Sequence, residues 1–182
     1  MKIASEDLIS DLKARTLQNL RKAEQMKKLP LENLNHKVND HSWSALECIK
    51  HLNLYGEYYL PEIEKRINQR DYAAEEKFAS GKLGNYFAKM MLPGEKMKKI
   101  KTFRNKNPNG SKLDKEALEE FIIQQNKILD LLEKARKISL NKTKTSISIT
   151  SFLKLKLGDT LRVVIYHNDR HMLQAQKALE IT

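Results

Sequence analysis

Histidine is the residue type with the most chemistry to offer in this chain, and two histidines stand four apart in residues 161–175, LRVVIYHNDRHMLQA. Leu161, Val164, Ile165, Met172, Ala175 and Leu179 recur there at helical spacing, with no Pro or Gly between them, so the run reads as a helix. On a helix His167 and His171 share a face one turn apart, where two imidazoles can converge on one metal ion or simply pack. Asn168 follows the first histidine, so the protease pattern with its glutamate base is excluded. A third ligand has to come from elsewhere. His51 is the candidate, because it falls on the apolar face of an earlier helix, with Cys48, Leu52, Tyr55, Tyr59 and Ile63. A buried imidazole needs a partner, either a hydrogen bond in the core or a metal. If the two helices are neighbours, His51, His167 and His171 meet. Three imidazoles leave a further coordination position open, as catalytic metal sites do. Tyr55, one turn beyond His51, could hydrogen-bond a ligand there. Arg170 could hold a substrate carboxylate or pair with a glutamate. Both serve equally well as structural residues. His36 and His41 fall in a polar connection and are left outside the site.

The elements that must position these groups are helical. Ser5 is read as the N-cap of a first helix to about Lys28, striped by Leu8, Ile9, Leu12, Thr16, Leu20 and Ala23 and ended by Pro30. Ser44 and Glu47 have the spacing of a capping box, so the helix carrying His51 starts at Ser44. Pro61 should kink that helix or break it near Tyr58, after which the pattern resumes to about Arg70. Residues 71–110 are punctuated by Gly and Pro, and only Tyr86 to Met91 looks like a short helix. A third long helix is expected from about Asp114 to Lys137. Residues 141–150 read as loop, and Leu153 to Leu157 alternates and could be extended. Asp159 is placed near the N-cap of the last helix. Four long amphipathic helices give an all-α, four-helix bundle with a long excursion between the second and third helices, a single domain over residues 1–182.

Composition sets the outer limits. Lys and Arg number 34 against 23 Asp and Glu, a net charge of +11, with the densest basic stretch from Lys96 to Lys106. That stretch is read as a solvated excursion, and nucleic acid is not expected as a partner; a basic binding module would instead show salt-dependent association. Cys48 is the single cysteine, so no intrachain disulfide forms. No apolar run approaches a membrane span and the amino terminus turns acidic at once, so a soluble, cytoplasmic protein is expected.

Residues 43–52 (WSALECIKHL) and 167–175 (HNDRHMLQA), in this order and with this gap, resemble the DinB/YfiT-like metalloenzyme superfamily, and the likeness extends over nearly the whole chain. The resemblance implies a four-helix bundle whose second helix gives one histidine ligand and whose last gives two, here His51, His167 and His171. It also implies a divalent metal, a low-molecular-weight thiol as cosubstrate, a small-molecule substrate and, in some members, a homodimer. Imidazole suits zinc, nickel, copper and iron, of which zinc and nickel are expected. The leading functional reading is a thiol S-transferase acting on a small electrophile. The alternatives are a hydrolase using metal-activated water, and a non-enzymatic or vestigial-site member.

Overall fold

The computed structural model of the chain describes residues 1–69, 71–94, 102–148 and 150–180. Its frame is four long helices: α1 (Ser5–Met26), α3 (Ala45–Gln69), α5 (Glu116–Ala135) and α6 (Leu157–Leu179). Two short helices, α2 (Leu31–Asn35) and α4 (Lys82–Met91), lie in the connections, with a 3-10 turn at Arg104–Lys106. α1 and α3 each pack against both α5 and α6, so the helices close a ring in the order α1, α5, α3, α6. This all-α architecture is the one the stripes predict, and it makes α3 and α6 neighbours.

The core has two halves. Leu8, Leu12, Ile63, Leu131, Leu132 and Ile165 fill one, and Leu46, Ile49, Leu52, Leu118, Phe121 and Met172 fill the other. Asp169 fixes α6 against α1, accepting from Arg15 (2.8 Å) and Asn19 (2.7 Å). A polar residue is thus buried on α1 where an apolar stripe alone would not place one.

Two small antiparallel sheets trim the bundle: β1 (Lys2–Ala4) pairs with β2 (Lys77–Ala79), and β3 (Lys144–Ile147) with β4 (Thr150–Lys156). The second sheet corrects the reading of residues 141–150 as loop. The alternation at Leu153 to Leu157 is real strand as far as Lys156, with Leu155 inward and Phe152 outward. α6 therefore begins at Leu157, and Asp159 lies inside its first turn rather than at the cap. There it holds a different contact. Asp159 accepts from the Gly81 amide (2.8 Å), the Ser80 hydroxyl and Arg162 (3.2 Å), tying the approach to α4 onto α6. The backbone comes so close that a Cβ at Gly84 would sit 2.4 Å from the Asp159 carboxyl.

Three other boundaries differ from expectation. Ala4, not Ser5, precedes α1, and the Ser5 hydroxyl donates to the Glu75 carbonyl (2.5 Å). Helix α3 continues through Pro61 in place of the break that is one of the two expectations there, because one missing hydrogen bond in a helix packed on two sides is outweighed by that packing. α4 begins at Lys82, four residues before the expected Tyr86. Of the basic stretch, residues 96–101 lie outside the described residues.

Candidate metal centre

The capping box at the start of α3 forms as its spacing requires. The Glu47 amide donates to the Ser44 hydroxyl (3.2 Å), and the Glu47 carboxylate accepts from the Ser44 amide (2.9 Å). That start sets the rotation of α3 and turns His51 into the bundle, where it is 2 % exposed. On α6 the i, i+4 spacing turns His167 and His171 toward the same place. One ring nitrogen from each of the three histidines lies within 4.8 Å of the others. The separation between His51 Nε2 and His167 Nε2 is 3.2 Å.

Two of the three rings are oriented by a hydrogen bond on the far side. His51 Nδ1 is 2.7 Å from the Lys106 carbonyl oxygen, which can only accept, so Nδ1 carries the proton and Nε2 its lone pair. His171 Nδ1 likewise donates to Gln174 Oε1 at 2.9 Å. Metal-ligating imidazoles are commonly held in this way, with the outer nitrogen donating so that the inner one is bare. The Nε2 atoms of His51 and His167, 3.2 Å apart, are also spaced as one ion about 2.0–2.1 Å from each would require. The donor set and its spacing therefore fit a divalent metal ion.

Electrostatics keep the rings neutral, as ligands must be. Burial pushes His51 down to about 4, against the opposing pull of its bond to Lys106. Burial and the neighbouring His51 take His171 to about 3. His167 lies well below the ordinary imidazole range, through burial and then the charges of His171, His51 and Arg170. Two aromatic rings flank the cluster. Trp43 lies 4.7 Å from the His51 ring and 5.7 Å from that of His171, between centroids, and Tyr55 lies 5.0 Å from His51 and 4.7 Å from His167.

A model of the DinB superfamily matches residues 14–175. The chain belongs to the DinB superfamily. No curated protein and no solved structure gives a match. In this DinB-superfamily chain the three histidines form a group able to hold a metal ion. Of the other two candidates, Tyr55 lies beside it and on the wall of a cavity of about 210 Å³ that His167 also lines. Arg170 donates through Nη1 to the Met90 carbonyl (3.4 Å) at the end of α4, and its charge is felt at His167 and His171. His36 and His41 are not members of this group.

Sequence reasoning missed Lys106, Gln174 and Trp43. Lys106 was read as part of a solvated basic run, yet its carbonyl orients His51, and its ammonium donates to the Leu54 carbonyl (2.5 Å). Gln174 could have been found, since it stands three residues beyond His171 on the same face. A backbone carbonyl such as that of Lys106 leaves no signature in residue type.

Proposed function

We propose that this DinB-superfamily chain is a metal-dependent enzyme that joins a low-molecular-weight thiol to a small electrophile. The observation that carries the reading is the position of the three neutral imidazoles: one ring nitrogen from each converges where His167 meets the wall of an apolar cavity. A divalent ion held there, zinc or nickel, would supply Lewis acidity that favours the thiolate over the thiol. The protein's own groups do the rest. Lys106 and Gln174 hold His51 and His171 in one tautomer, Trp43 and Tyr55 cover the flanks, and the cavity seats the electrophile. Sulfur attacks the electrophilic carbon, the leaving group departs with the bonding pair, and the thiol proton passes to solvent. Tyr55 offers a neutral hydroxyl in this space, since burial raises its pKa. Apolar walls favour this chemistry over hydrolysis, which needs water to be held and aimed.

The test is a thiol-transfer assay with 1-chloro-2,4-dinitrobenzene and a small thiol, on protein with and without added zinc or nickel. Thioether formation that needs metal and disappears in His51→Ala supports the reading. Metal-dependent ester cleavage with no thioether formation would replace it with hydrolysis.

A further inference from the structure

The cavity that shares His167 with the three-histidine group decides what can reach it. Its walls come from the middle of α3, the end of α4, α5, the β3–β4 hairpin and α6, and its character is apolar and aromatic: Tyr55, Phe87, Met90, Met91, Phe103 and Val164. The described polar lining groups are neutral, and their hydrogen bonds are largely satisfied within the protein. Tyr59 pairs with Ser148 (3.2 Å), Gln124 donates to the Asn53 carbonyl (3.2 Å), and Asn168 donates to Gln125 (3.3 Å). No Asp, Glu, Lys or Arg is among the described lining residues. Two cations beside the wall are held by carbonyl groups, Arg170 by that of Met90 and Lys106, whose ammonium also lies 5.6 Å from the Tyr55 ring centroid, by that of Leu54.

Taking the three-histidine group as the transfer site, we infer that its substrate is an uncharged molecule with a substantial apolar, aromatic surface, and that anionic molecules are rejected. A carboxylate, sulfonate or phosphate in this cavity would lose its hydration and meet no charged side chain among the described lining residues. An aromatic ring would meet the rings of Tyr55, Phe87 and Phe103, and the flexible thioethers of Met90 and Met91 would adapt to its outline. The surface points the other way. A net charge of +11 attracts anions to the protein as a whole, so a preference for neutral over anionic ligands isolates the cavity from the surface. Phe103, half exposed at 50 % and part of the cavity wall, is the place to change this selectivity without disturbing the core.

Two fluorescent probes share one skeleton and differ by a sulfonate: N-phenyl-1-naphthylamine, which is neutral, and 1-anilinonaphthalene-8-sulfonate. Binding of each is measured to the full chain at physiological salt, in wild type, Phe103→Ala and Phe103→Arg, with circular dichroism confirming that each variant is folded. The neutral probe is expected to bind wild type more tightly than the sulfonate, by at least about tenfold, because the sulfonate is desolvated without a partner. Phe103→Ala should weaken the neutral probe, and Phe103→Arg should reverse the preference. Equal or tighter binding of the sulfonate to wild type would overturn the inference, as would a neutral-probe affinity that neither variant alters. Metal content measured on the same samples keeps the two readings apart. Metal retained with no neutral-probe preference sinks only the substrate class, and probe preference with no metal binding sinks only the transfer reading.

Discussion

Each imidazole of the cluster carries a different restraint. His51 leans on a backbone carbonyl, His171 on Gln174, and His167 on the packing of α6 against α3. Their pKa values are depressed, so in the folded chain they stay neutral where unfolded imidazoles, at about 6.5, take up protons. The sign follows: their contribution to stability is full above about pH 6.5 and is lost as pH falls toward 4 for His51 and 3 for His171. The urea midpoint of metal-free protein should therefore drop between pH 7 and pH 5, before most carboxylates titrate, and drop less in His51→Gln. A midpoint flat over that range would mean that the rings are hydrated. Gln174→Leu removes an orienting partner without touching a ligand, and metal affinity should fall about 10- to 100-fold. Tyr55→Phe should leave metal affinity unchanged while thioether formation slows, and loss of both together would make Tyr55 a packing residue.

The helices position the site through their ends. Ser44 caps α3 seven residues before His51, so Ser44→Ala should cost about 1 kcal/mol in urea unfolding. Asp159 is buried against Arg162, Ser80 and Gly81. Asp159→Ala leaves the guanidinium without its counter-charge and should cost about 3–5 kcal/mol. An effect below that of Ser44→Ala would show that the clamp is ornamental. The long helices were legible because their apolar stripes repeat over five or more turns, and so was the i, i+4 pair on α6. Of the β3–β4 hairpin only the alternation of β4 was legible, because β3 is four residues long and Phe152 points to solvent where an apolar residue suggests core. The cap of α6 was not legible, since Gly158-Asp159 reads as a start signal. Gly158 is there instead because the Phe78 ring lies where its Cβ would be, 2.5 Å away. The cavity was invisible for a similar reason: its walls are collected from segments far apart in the chain.

At the scale of the whole molecule, the ring of four helices makes the site a property of the fold, with the histidines of α3 and α6 meeting only when the two helices are packed together. Among the described residues no helix is long and apolar enough to cross a membrane. An ion shared by two helices should raise the stability of the bundle, by about 2.7 kcal/mol when free metal is a hundred times its dissociation constant. The most direct measurement is the metal content of protein purified without a histidine tag and equilibrated with zinc or nickel. It would be made on wild type, His51→Ala, His167→Ala, His171→Ala and, as a control, His36→Ala. Wild type and His36→Ala should hold about one divalent ion per chain and the other three far less, since each has lost one of three ligands. Wild-type metal content in His167→Ala, or none in wild type itself, would contradict a metal centre at these three histidines.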